Sequence, residues 1–116
     1  MHYNQINTSA IRENLMDSNE LIIQFLSLYQ EQIPTDVQAL KAAVDSGIHV
    51  EIANKAHYIK PTMEYIGAQD LRKKLQQLEY AGKNNTELSS IEVLYQEIEA
   101  DVQVLLQEIA DFRQSL

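Results

Sequence analysis

In the stretch AHYIKPTMEYIGA, Ala56–Ala68, an imidazole, an ammonium group and a carboxylate fall at His57, Lys60 and Glu64. Steps of three and four put all three on one flank of a helix, and Pro61 shares it. An accessible imidazole can bind a metal, move a proton or attack an electrophile. Metal binding is disfavoured, because there is no cysteine and no second histidine at helical ligand spacing from His57. Acid–base catalysis asks for a concave pocket around a held substrate, whereas a helix face is convex. Nucleophilic attack on phosphorus fits best. A neutral imidazole nitrogen is a competent nucleophile near neutral pH. Lys60, one turn away, disfavours imidazolium and stabilises a phosphoryl group once it is attached.

The elements that hold these residues are helices. A short lead-in helix is expected over residues 8–16. A long one follows, capped by Asp17 with Glu20 three positions on as a capping box. Its apolar residues run from Ile22 to Val44 in steps of three and four, straight through Pro34, which predicts one kinked helix ending at Gly47, with a break near Ile33 as the alternative. The next spans about His49 to Ile66, with Ile52, Ala56, Ile59, Met63 and Ile66 as its stripe. A third runs from about Ala68 to Ala81, buries Leu71, Leu75 and Leu78, and ends at Gly82. Ser89 with Glu92 reads as a second capping box, opening a last helix striped from Ile91 to Phe112.

One apolar stripe per helix and short connections predict an all-α antiparallel up-down four-helix bundle. Residues 1–116 read as one domain, with the core bundle at about 18–114. At ~100° per residue, His57 lies about 140° from the centre of its helix's stripe, off the core. Tyr58, Thr62 and Tyr65 lie on the other flank; the two tyrosines are expected to be packing aromatics. If the third helix turns its Glu79 and Lys83 towards the same side, they complete a polar cluster around the imidazole. Arg72, Lys73 and Lys74 read as a solvated face, and His2 and His49 as residues without a specific task.

The 116 residues are 45% hydrophobic and 22% charged, ordinary for a soluble globular protein. The absence of cysteine excludes disulfides and thiol chemistry and fits a cytoplasmic location. No apolar run is long enough to span a bilayer. The net charge of −8 argues against nucleic acid or an anionic membrane as the main partner. The charge is uneven: between Lys55 and Lys83 six basic residues face three acidic ones, and the remainder is strongly acidic.

These residues resemble the histidine-containing phosphotransfer (HPt) domain of multistep two-component phosphorelays. That family's signature reads roughly Ala-His-x-Leu-Lys-Gly-Ser, then Gly-Ala, then Leu-Glu-x-x-Gly-Arg. The corresponding text is Ala56-His57-Tyr58-Ile59-Lys60-Pro61-Thr62, then Gly67-Ala68, then Leu78-Glu79-Tyr80-Ala81-Gly82-Lys83, with matching intervals. The resemblance implies that His57 is the phosphoacceptor and that Lys60 neutralises the phosphoryl group. It places Pro61 and Thr62 under a docking partner and Glu79 and Lys83 beside the imidazole. It implies response-regulator receiver domains and a hybrid sensor histidine kinase as partners, with Mg²⁺ supplied by the receiver and no cofactor or metal in this chain, which acts as a monomeric carrier without its own turnover. Pro61 for glycine, Thr62 for serine or alanine and Lys83 for arginine depart from the pattern. Two other readings stand beside it. A scaffold bundle would carry no acid-labile phosphate. The dimerising phosphoacceptor domain of a histidine kinase would need a following ATP-binding domain.

Overall fold

The computed structural model describes residues 3–116, so His2 lies outside the described residues. Five helices follow one another: α1 (Thr8–Asn14), α2 (Asn19–Ser46), α3 (His49–Tyr65), α4 (Gln69–Lys83) and α5 (Leu88–Ser115). α2, α3, α4 and α5 pack in a closed ring, each against its neighbours, as the expected four-helix bundle with a short lead-in helix. The molecule is a rod of 43 by 20 by 20 Å. The expected stripes meet along its axis: Ile22, Leu40, Ile52, Met63, Leu71, Leu78, Leu105 and Ile109 are fully buried.

The helices differ in length. α2 and α5 have 28 residues each, whereas α3 has 17 and α4 has 15. At ~1.5 Å per residue the α3–α4 hairpin stops well short of the ends of α2 and α5. The N-terminal segment covers the remainder. Ile6, Ile11 and Leu15 join the core, and Tyr3 meets Phe112 edge-on with ring centres 6.1 Å apart. Glu108, a buried carboxylate on α5, holds this segment by accepting the backbone N–H of Asn4, Gln5 and Ile6 at 2.8, 2.8 and 3.1 Å. The Asn7 N–H donates to the Ile66 carbonyl at 3.1 Å, where α3 ends.

Helix starts and stops show where side-chain chemistry had several solutions. α2 is one helix through Pro34 and ends at Gly47 in the left-handed region, φ 70°, as expected. Its N-cap, however, is Ser18, whose hydroxyl accepts from the Leu21 N–H. Asp17 sits one residue outside with φ 54° and pairs with Arg12 instead of capping. α5 starts at Leu88 with no side-chain cap, so Ser89 and Glu92 lie inside its first turns and form no capping box. Gly82 does not end α4. It is buried within the helix, and a Cβ there would lie 2.8 Å from both Ala53 N and the His49 carbonyl oxygen. Glycine at this point lets the backbones of α3 and α4 approach closely.

Candidate functional site

The α3–α4 contact builds the site. Ala53 faces Gly82, and one turn further along both helices His57 faces Glu79. His57 Nδ1 lies 3.0 Å from Glu79 Oε2 while its side chain stays 68% exposed. Glu79 is the reverse: its side chain is 5% exposed. Two further cations close on the same carboxylate. Lys83 Nζ is 3.0 Å from Oε2, and Lys60 Nζ is 2.6 Å from Oε1. The Lys60 contact with Glu79 Oε1 is a close ion pair. Lys60 also donates to Gln76 Oε1 at 3.4 Å, and only 17% of its side chain is exposed.

The electrostatics follow from that packing. Burial pushes the Glu79 carboxyl up, but the Lys60 and Lys83 ammonium groups and the His57 ring outweigh it and hold it at about 2, below the ordinary 4.5. Glu79 is therefore ionised at neutral pH and can only accept. A neutral His57 must then carry its proton on Nδ1, which leaves the lone pair on Nε2. The expected polar cluster exists, and Glu79 is its buried centre rather than a surface charge.

The remaining residues divide. Pro61 and Glu64 are exposed on the same flank as His57, and Thr62 is half-buried. Glu64 is paired with Arg72 across the helices. His57, Lys60, Pro61, Glu64 and Arg72 line a shallow depression of about 230 Å³, so the face is not wholly convex. Arg72 is thus part of the site's rim, not only a solvated face. Lys74 ties α4 to α5 through Asp101 at 2.6 Å. Tyr65 packs as expected, stacked on Phe25 at 5.9 Å, whereas Tyr58 is 65% exposed and packs on nothing comparable. His49 has a task after all: its Nε2 lies 2.7 Å from the Thr86 carbonyl, linking the start of α3 to the α4–α5 connection. Helical spacing puts Gln76 on the same flank as Glu79 and Lys83 without saying that it meets Lys60, and sequence reasoning missed Glu108 altogether, because nothing in local spacing says which helix a side chain will meet.

Among the described residues, no group of three or more histidine, aspartate or glutamate side chains is arranged to hold a metal ion. No helix among them is long and apolar enough to cross a membrane. The family model described as Hpt domain matches residues 24–115, which spans the bundle from within α2 and leaves out α1 and the clasped N-terminal segment. No curated protein and no solved structure matches the chain.

Proposed function

This chain belongs to the Hpt domain family, and on that premise we propose that it is a phosphorelay intermediate with His57 as phosphoacceptor. Hpt domains are phosphotransfer carriers that work with receiver domains and kinases. One observation carries the reading for this chain: an exposed imidazole whose Nδ1 is held by a buried, ionised carboxylate.

The step is an in-line displacement on the acyl phosphate of a receiver's phosphoaspartate. The Nε2 lone pair forms the P–N bond, the P–O bond breaks, and its electron pair leaves with the aspartate carboxylate. Positive charge develops on the imidazole ring as the bond forms. Glu79, already in place on Nδ1–H, stabilises that charge without reorganising. Lys60 and Lys83 keep Glu79 ionised and leave the cluster with surplus positive charge for the incoming phosphoryl oxygens. Transfer onward to a second receiver reverses the same step.

The chain acts as a monomeric cytoplasmic carrier without its own turnover. It brings no metal; the Mg²⁺ belongs to the receiver. Pro61 and Thr62, with Glu64, lie under the docked partner. Pro61 presents a surface with no rotamers to freeze and no amide to desolvate. Incubating the protein with phosphorylated receivers and scoring acid-labile phosphate tests this. His57→Gln abolishes labelling with helix content unchanged; persistent labelling overturns the assignment.

A further inference from the structure

Two large side chains stay exposed beside the site, Tyr58 at 65% and Tyr80 at 52%. At ~100° per residue, Tyr58 follows His57 on the side of α3 turned away from α4. Tyr80 follows Glu79 on the outward, solvent-facing side of α4, next to Gln76. Because His57 and Glu79 are bonded to one another, the two phenols stand at the same level of the bundle, one on each helix.

Single exposed apolar residues are ordinary on a protein surface. This pair differs in placement and in preparation. The Tyr80 hydroxyl oxygen accepts from Gln76 Nε2 at 2.8 Å, which holds the ring and leaves the phenol's own proton to donate outward. Gln76 in turn accepts from Lys60, so the Tyr80 ring is coupled to the cation that neutralises Glu79. The depression lined by His57, Lys60, Pro61, Glu64 and Arg72 runs on from the imidazole along the same two helices.

We infer that Tyr58 and Tyr80 are the anchor residues that seat a receiver domain on this face and set which receivers exchange phosphate with His57. The inference rests on the carrier reading above. The occupant follows from charge. Whatever delivers phosphate to His57 presents a dianionic acyl phosphate, and the segment from Lys55 to Lys83 is the basic part of a chain of net charge −8. An anionic partner surface is drawn to this face and repelled by the rest. Tyrosine supplies large, stiff, amphipathic contact area, which is why it recurs where truncation costs the most binding.

The test compares two donors on the full chain. Phosphoramidate is small and needs no docking; a panel of receiver domains charged with acetyl phosphate and Mg²⁺ does. Tyr58→Ala and Tyr80→Ala leave phosphoramidate labelling of His57 unchanged. Each raises the receiver concentration for half-maximal transfer about tenfold, with the plateau rate little altered. Tyr80→Phe keeps the ring and loses only part of this. An unchanged half-maximal concentration in the double alanine variant overturns the inference. So does a sedimentation profile in which the wild type is a dimer that Tyr58→Ala dissociates, since the tyrosines would then seat a second copy. Absence of phosphoramidate labelling at His57 instead sinks the carrier reading itself.

Discussion

Among the described residues three carboxylates are buried, Asp36, Glu79 and Glu108, and the last two are satisfied in opposite ways. Glu108 on α5 is 8% exposed and accepts three consecutive backbone N–H groups from the N-terminal segment. Glu79 on α4 is 4% exposed and has only side chains for company: His57, Lys60 and Lys83. Backbone amides are fixed dipoles that cannot leave without unfolding the segment. Side-chain cations can rotate, exchange partners and titrate. The same group therefore makes a clasp in one place and a responsive site in the other. Only the second leaves a reactive atom, Nε2 of His57, turned to solvent.

The comparison can be broken experimentally. Glu108→Ala removes a charged acceptor from three amides at once, and its cost is set at about 3–4 kcal/mol in urea denaturation. Amide exchange at residues 4–6 accelerates, while phosphoramidate labelling of His57 persists. Loss of labelling would mean that clasp and site are one unit.

Glu79→Gln keeps the shape and removes the charge. The folded carboxyl sits at about 2 against an ordinary 4.5, so its stabilisation is complete above about pH 4.5 and is lost as pH falls towards 2. That limb is at most about 3 kcal/mol, at about 1.4 kcal/mol per pH unit, and the variant's acid denaturation loses it. Receiver-dependent transfer falls about 10- to 100-fold, the usual effect of removing a carboxylate that orients an imidazole. An unaltered acid limb with unaltered transfer would reduce Glu79 to a second clasp.

Lys83→Ala is the mildest change. The side chain is 58% exposed and pairs with Glu79 one turn away in the same helix, so thermal unfolding shifts by less than about 1 kcal/mol. Transfer slows a few-fold, because one of the two ammonium groups that hold Glu79 ionised is gone. A stability loss as large as that of Glu108→Ala would show the cations to be structural after all.

Most of the fold was legible because periodicity reports burial directly. Ile52, Ala56, Ile59 and Met63 recur at helical spacing and are all buried, and α2 runs through Pro34 as its stripe demanded. The misreadings share one cause. Asp17 and Ser18 are both able caps, and Gly82 is as good a terminator as a packing residue; tertiary contact selects between them. Gly82 is needed inside α4 because the α3 backbone passes within 3 Å of where its Cβ would be.

The site divides along the same line. Sequence alone determined that His57 lies off the core, that Lys60, Pro61 and Glu64 share its flank, and that the segment around it is basic. Those properties depend on residue identity and on a helix's 3.6-residue turn, both local. Which helix faces which, and how closely, depends on the whole core. Only the tertiary structure decided that Glu79 is buried under the imidazole, that Lys60 and Lys83 converge on it, that Tyr58 stands free, and that Glu108 holds the N-terminal segment over the end of the bundle. A carboxylate's partners in space are set by packing between helices, and no spacing along the chain encodes them.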